Sequence, residues 1–323
     1  MEGGIWVLAE QWRGRLSDVT YELLALGREL ADGLGVPLQA VLLGQGVKEL
    51  AGTLGAADAV LYADHAGLDS PLPEPYAEAL AQLATARKPR AVLIPLTNVS
   101  AGIGSLLGER LQAPIVNFCK EVLLKDGRME AQCVLYGGKI EASIVASSEP
   151  VVFGILSGGR PAEKGRSAAV PTVEEAAVDL PASPVRFKRF VEPEAGDVDL
   201  AAQDVLVGVG RGIQSQDNLE LAESLAQALG GAVCGSRPVV DQGWLPLARQ
   251  VGKSGLTVKP KLYLATGISG APEHAEGMRE AGLIIAINSD PSAPIFNLAH
   301  YGVVGDALDL LPALSEAIQA RKG

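Results

Sequence analysis

Residues 262–274 read Leu-Tyr-Leu-Ala-Thr-Gly-Ile-Ser-Gly-Ala-Pro-Glu-His. Leu262–Ala265 has the length and apolarity of a buried parallel strand. Gly267-Ile-Ser-Gly-Ala-Pro follows at once and opens a helix, with Pro272 placed early, where a missing N–H is no loss. A strand that turns through glycines into a helix is the unit of an open α/β sheet. Such sheets bind ligands outside the carboxyl ends of their strands. Gly267 and Gly270 let a ligand approach the backbone, Ser269 adds a hydroxyl, and the N–H groups of a helix start suit an anion. An ordinary capped helix start explains the same segment equally well.

The rhythm repeats on both sides. Val205–Val209, Ala232–Cys234, Ile284–Ile287 and Gly302–Gly305 are strand candidates. Asn218–Leu229 is an amphipathic helix ended by Gly230-Gly231, and Ala307–Ala320 reads as a closing helix that Pro312 breaks or restarts. Gly208, Gly210 and Gly212 invite comparison with the dinucleotide fingerprint. The third glycine of G-x-G-x-x-G falls on Ile213, so the standard pyrophosphate turn is not supported. A flexible strand-to-helix turn is an equal reading.

The first half alternates in the same way. Ile5–Ala9, Leu38–Leu43, Ala59–Tyr62 and Ala91–Pro95 are strand candidates, separated by helical patterns over Ser17–Leu34, Glu74–Arg87 and Ala101–Leu111. From Glu121 the pattern turns to β structure: Ala131–Leu135, a Gly137-Gly138 turn, Ile140–Ala146 and Val151–Leu156. Ser157–Pro184 has no period and reads as a linker or surface arm. The expected architecture is therefore α/β in two domains, each a mainly parallel doubly wound sheet. Residues 1–184 form the first, with an appended β hairpin or meander; 185–203 link; 204–323 form the second.

At 323 residues the chain exceeds a usual single core, and its 48% hydrophobic and 20% charged residues are ordinary for a globular protein. The formal charge of −11, with no concentrated basic patch, excludes a duplex-binding surface. No apolar run reaches bilayer length, so no membrane insertion is expected. The N-terminus carries no basic leader or cleavage signature, and a cytoplasmic protein is expected. Three scattered cysteines and three scattered histidines give neither a disulfide framework nor a metal-ligand spacing.

Several polar residues follow strand-like runs in the second half: Arg237, Ser254, His274, Asn288 and Asp306. Each has a plain structural explanation. Arg237 suits a surface ion pair, Ser254 a turn hydroxyl, His274 a satisfied core residue, Asn288 with Asp290-Pro291 an Asx turn, and Asp306 a helix cap. Their order is more specific than any one of them. Ser236-Arg237, Val251-Gly-Lys-Ser254, Ser269-Gly-Ala-Pro-Glu-His274, Asn288 with Asp-Pro-x-Ala-Pro-Ile-Phe, and Tyr301-Gly302 ahead of Asp306 together resemble the FAD-binding domain of the electron-transfer flavoprotein α subunits, and Arg211 fits too. The resemblance covers about 204–310 strongly and the first half more loosely, most visibly at Tyr136-Gly-Gly-Lys-Ile-Glu-Ala-Ser-Ile-Val.

That resemblance implies an FAD-binding, Rossmann-like second domain, and a heterodimer with a β subunit that the first domain contacts. It implies an electron carrier, with electrons arriving from flavin dehydrogenases of the acyl-CoA dehydrogenase type, as in fatty acid β-oxidation, and leaving to a redox acceptor protein or quinone reductase. No residue need act as a general acid or base. Arg237, Ser254 and His274 would tune the flavin: Arg237 against the isoalloxazine ring, Ser254 at N5 in place of a family threonine, His274 near the O2 edge. The cofactor-binding set would be Arg211, Ser236, Arg237, Val251, Gly252, Lys253, Ser254, Ser269, Gly270, Ala271, Pro272, Glu273, His274, Asn288, Asp306 and Ala307. Lys253 and Glu273 stand where the family usually has glutamines, and an ion pair between them is expected. The linker before Asp204 would be a hinge. Two other readings stay open: a bifurcating, NADH-dependent relative, and a non-redox adenine-nucleotide module that uses the fold around Ala91–Leu111.

Overall fold

The computed structural model describes residues 3–190 and 198–322. Its internal contacts divide the chain into two compact units, Met1–Arg189 and Phe190–Gly323. Of the expected linker and hinge 185–203, residues 191–197 lie outside the described residues. Leu200, inside the same expected linker, is buried in the core of the second unit.

In the first unit the strands are β1 (Ile5–Ala9), β2 (Gln11–Trp12), β3 (Arg15–Leu16), β4 (Leu38–Gly44), β5 (Ala59–Asp64), β6 (Ala91–Pro95), β7 (Ile115–Lys125), β8 (Arg128–Leu135), β9 (Ile140–Val145), β10 (Val151–Ile155) and β11 (Thr172–Glu175). Its helices are α1 (Asp18–Leu34), α2 (Pro73–Arg87) and α3 (Ile103–Leu111). Nine strands form one sheet in the order β11-β5-β4-β1-β6-β10-β7-β8-β9, while β2 and β3 pair as a small separate ribbon. Pairing is parallel from β11 to β7 and antiparallel across β7-β8-β9. Every residue of β1, β4, β6 and β10 is buried, because helices cover both faces there. Ser17 precedes α1 without a side-chain cap bond, and Gly35 ends it in the left-handed conformation at φ 64°.

The arm expected over Ser157–Pro184 is not free of regular structure. Thr172–Glu175 adds β11 as a parallel edge strand on β5, and Gly165 packs so closely on the Tyr21 carbonyl that a Cβ would lie 1.8 Å from it. The segment Thr-Val-Glu-Glu is too short and too charged to show strand periodicity; the template of β5 organises it.

The second unit is regular. Strands β12 (Val205–Val209), β13 (Ala232–Gly235), β14 (Leu262–Thr266), β15 (Leu283–Asn288) and β16 (Tyr301–Val304) pair in the order β13-β12-β14-β15-β16, all parallel. Helix α4 (Leu219–Leu229) and the closing helix α7 (Ala307–Lys322) cover one face, burying Leu225 and Leu311 against Val207 and Leu264. Pro312 sits inside α7 without ending it. Between strands lie the short helices α5 (Arg237–Asp241) and α6 (Pro272–Ala275). The strand order turns back between β12 and β14, and this reversal opens a crevice at their carboxyl ends.

Candidate functional site

A cleft of about 590 Å³ opens at that reversal, within the usual range for a small-ligand site. One side is the turn after β12, which carries Gly210, Arg211 and Gly212; the other is the turn after β14, which carries Gly267, Ile268 and Ser269. These turns touch backbone to backbone. Gly210 N donates to Thr266 O at 2.9 Å and Gly212 N to Gly267 O at 3.0 Å. A Cβ on Gly210 would lie 2.2 Å from Gly267 O, and one on Gly212 would lie 2.5 Å from Gly267 Cα. The spacing G-x-G-x-G thus answers to close strand–strand approach, and the turn is packed rather than flexible.

Two further walls complete the cleft. Ser236, Arg237 and Pro238 enter from the start of α5, and the loop 250–254 faces the segment 271–274. Loop and segment are stitched together by Lys253 N donating to Glu273 O at 2.7 Å, and just beyond them Val258 N donates to Gly277 O at 2.8 Å. Gly252 has φ 138°, and a Cβ there would meet Glu273 O at 2.8 Å, so only glycine fits the seam.

His274 is the side-chain stitch of that seam. Its Nδ1 lies 3.0 Å from the Val251 carbonyl oxygen and its Nε2 lies 3.0 Å from the Tyr263 hydroxyl. A carbonyl oxygen only accepts, so Nδ1 carries the proton and Nε2 accepts from Tyr263. Tyr263 in turn accepts from the Cys234 thiol at 3.5 Å. Burial pushes the His274 pKa down to about 4, with the Val251 bond opposing part of that shift. The ring is therefore neutral near pH 7. The same burial raises the Cys234 thiol to about 12 and the Tyr263 phenol well above its usual value. Both nitrogens of His274 are engaged inside the protein, and the ring itself edges the cleft.

Ser254 is exposed at the cleft, and its Oγ accepts from Gln250 Nε2 at 3.0 Å. Arg237 extends into solvent with its Nε 3.3 Å from Asp241 Oδ2. Asn288 lines the cleft while its Nδ2 donates to Ile268 O at 2.8 Å and its Oδ1 accepts from Asp290 N at 2.9 Å, an Asx turn.

The structure brings twelve of the sixteen expected site residues to the cleft, and sets the remaining four, Gly270, Pro272, Asp306 and Ala307, outside its lining. Gly270 supports it from behind: φ is 88° and a Cβ would lie 2.2 Å from Ile295 N. Pro272 is the first residue of α6, Asp306 caps α7 through Oδ1 to Leu308 N at 2.9 Å, and Ala307 is the first residue of α7. The helix expected after Gly267-Ile-Ser-Gly-Ala-Pro is only four residues long, too short for a sizeable helix dipole, so closely approachable backbone carries more of any anion binding there.

One expectation is overturned. Lys253 Nζ lies 3.8 Å from Glu276 Oε2 and forms no ion pair with Glu273; the link between positions 253 and 273 is the backbone hydrogen bond. Bound through its main chain, Lys253 reaches past Glu273 to the carboxylate at the end of α6. Gln250 went unrecognised in the sequence. Only the chain reversal at Gly252–Gly255 brings it back to Ser254, and no periodicity marks that.

The crevice at the corresponding reversal of the first sheet, between β1 and β6, is filled from within. Thr97 Oγ1 and Ser100 Oγ, which follow β6, both donate to Glu10 Oε2, with Glu10 buried directly after β1. The hydroxyls that would hold a phosphate there already hold a carboxylate, which repels one. This argues against the adenine-nucleotide module built around Ala91–Leu111.

The second-unit cleft fits FAD: glycines allow close approach to the pyrophosphate, Arg211, Arg237 and Lys253 bring positive charge to different parts of the lining, and serine hydroxyls and Asn288 stand along the walls. Among the described residues no helix is long and apolar enough to cross a membrane.

The family described as electron transfer flavoprotein FAD-binding domain matches residues 199–279, and the electron transfer flavoprotein domain matches residues 5–180. Protein FixB of Clostridium saccharobutylicum is 38% identical over 318 residues, spanning 96% of this chain and 95% of that protein. The electron transfer flavoprotein subunit alpha of Thermoanaerobacterium thermosaccharolyticum is 36% identical over 327 residues, spanning 98% of both. Subunit LctC of the lactate dehydrogenase (NAD(+),ferredoxin) of Acetobacterium woodii is 34% identical over 325 residues, spanning 98% of this chain and 77% of LctC. With both domain families matched in order and relatives aligned end to end, the chain belongs to the electron transfer flavoprotein α-subunit/FixB family and takes FAD as its cofactor.

Proposed function

We propose that this chain is the FAD-bearing subunit of a heterodimeric electron carrier that takes electrons from flavin dehydrogenases of the acyl-CoA type and passes them to a redox acceptor protein or quinone reductase. The observation that carries the reading is the cleft at the β12/β14 reversal, with Arg237, Ser254 and His274 converging on its walls. FAD supplies the electron chemistry. The protein holds it, excludes water on the buried side and sets the surrounding charge. Ser269 with the glycine turns would hold the diphosphate, and Arg237 would favour added negative charge on the ring. Asp306, at the far end of the sheet, would address the adenosine half. A relative named acryloyl-CoA reductase electron transfer subunit beta, of Anaerotignum propionicum, is 34% identical over 355 residues, which supports a redox partner that acts on acyl-CoA, in that relative in the direction of reduction.

The first unit would meet the β subunit. Tyr136, Ile140 and Val145 stand exposed around the outer strand β9, an apolar edge suited to burial against a partner. A second reading is favoured by the similarity to LctC, whose name couples NAD(+) with ferredoxin: a bifurcating complex with a second flavin in the β subunit. Co-expression with the β subunit, a flavin count and two reductants decide between them. One flavin, reduced by a substrate-loaded acyl-CoA dehydrogenase and not by NADH, supports the first reading. Two flavins, with NADH reducing one of them, overturn it in favour of the second.

A further inference from the structure

We propose that Gln250 is a positioning residue that fixes the Ser254 hydroxyl as a hydrogen-bond donor into the cleft. Gln250 is 3% exposed, and its carboxamide Nε2 lies 3.0 Å from Ser254 Oγ. An amide NH2 has hydrogens and no lone pair to offer, so Ser254 accepts in this bond. The serine's single proton must then point elsewhere, and Ser254 faces the cleft. The backbone makes this arrangement rigid. Leu256 N donates to Gln250 O at 2.8 Å and Gly255 N to Gly252 O at 2.9 Å, while Gln250 N donates to Leu247 O at 3.0 Å. A Cβ on Gly255 would lie 2.4 Å from Gln250 O and 2.9 Å from Gln250 Cγ, so the loop folds directly over the glutamine stem. Gln250 and Ser254 thus share one tight reversal, which holds the amide against the hydroxyl.

The consequence rests on the reading above, that the flavin ring lies against Ser254. Oxidised FAD offers ring nitrogens and carbonyl oxygens that accept; reduced FAD turns a ring nitrogen into an N–H donor. A hydroxyl held as donor suits the oxidised form. A hydroxyl free to rotate serves both. Gln250 therefore favours binding of oxidised over reduced FAD. One net hydrogen bond is at stake, so the ratio of the two affinities should change about three- to tenfold when the amide is removed.

The test has two arms on the αβ heterodimer. In the cofactor-free protein labelled with 15N-glutamine, the side-chain amide signal that Gln250→Met deletes should shift in Ser254→Ala. If it stays in place, the contact does not exist and the proposal falls, whatever the flavin does. In the FAD-loaded protein, Gln250→Met should lower the ratio of oxidised to reduced FAD affinity, read as a rise in midpoint potential. The same substitution made in Ser254→Ala should leave the potential of that variant unchanged. An equal rise in both backgrounds, or none in either, overturns the proposal. Gln250→Leu serves if the methionine variant does not fold: it removes the amide without adding charge, and the effect must again vanish without the hydroxyl. A Ser254→Ala variant whose amide shift appears but whose flavin affinity and potential equal the wild type would mean that the ring lies elsewhere. That result overturns the placement of the flavin and, with it, the claim that Gln250 acts on it.

Discussion

The Tyr263 hydroxyl donates to His274 Nε2 at 3.0 Å, and both side chains are buried between strand β14 and the cleft. This contact fixes a neutral imidazole where the sequence shows only an isolated histidine. Its first consequence is a pH dependence. Burial holds the folded pKa at about 4, below the 6.5 of a free imidazole. The unfolded chain therefore binds the extra proton first as pH falls, and folding stability drops from about pH 6.5 down to about pH 4. The difference is worth roughly 3 kcal/mol at full effect. Urea unfolding of the cofactor-free protein at pH 7.5 and pH 4.5 measures it. The loss should be smaller in His274→Gln than in the wild type, and parallel losses would mean that His274 is not held neutral.

Removing the phenol oxygen strands the imidazole. In Tyr263→Phe, His274 Nε2 loses its donor inside a buried site, and the Cys234 thiol loses its acceptor. The expected cost is about 1–3 kcal/mol of stability at pH 7.5, where the histidine is neutral in both states. Chemical denaturation reads it directly. A variant as stable as the wild type would imply that another group fills the gap.

The glycines at the strand reversal give a steric prediction. Gly212→Ala places a Cβ 2.5 Å from Gly267 Cα, backbone against backbone, with no flexible side chain to yield. The turns after β12 and β14 must separate, at about 1–3 kcal/mol, and the diphosphate side of the cleft is deformed with them. Both the thermal midpoint and FAD affinity should fall. Gly52→Ala, where a Cβ meets nothing within 4 Å, is the control and should change neither.

Much of this site was legible because strand–turn–helix units announce themselves locally. Leu262–Thr266 followed by Gly267 and Gly270 marks a sheet edge and a turn with no knowledge of the rest. The ordered polar residues from Ser236 to Asn288 then resolve into the walls of one cleft. What escaped depends on folding back. Gln250 meets Ser254 only through a reversal, Lys253 reaches Glu276 because its own main chain is tied to Glu273, and β11 is a strand because β5 templates it. The packing demand behind Gly210 and Gly212 was likewise invisible, since their neighbour Gly267 lies more than fifty positions away in the sequence.

The charge at the ring end of the cleft should set the cofactor's potential through Arg237, and Asp241 should temper it. Arg237 and Asp241 lie one turn apart on α5, with Nε and Oδ2 3.3 Å apart and both side chains largely in solvent. Reduction adds negative charge to the ring, so a nearby guanidinium favours the reduced form. Arg237→Ala should therefore lower the midpoint potential by about 1.4 kcal/mol, or ~60 mV for one electron. Asp241→Asn removes the carboxylate that offsets the guanidinium and should raise the potential by less, because water already screens an exposed pair. Such a pair adds little to folding, so both variants should keep the wild-type thermal midpoint, and a shift in potential cannot be ascribed to a loosened domain. Reductive titration of the two variants beside the wild type gives the signs. Shifts in one common direction, or none, would place the guanidinium away from the ring.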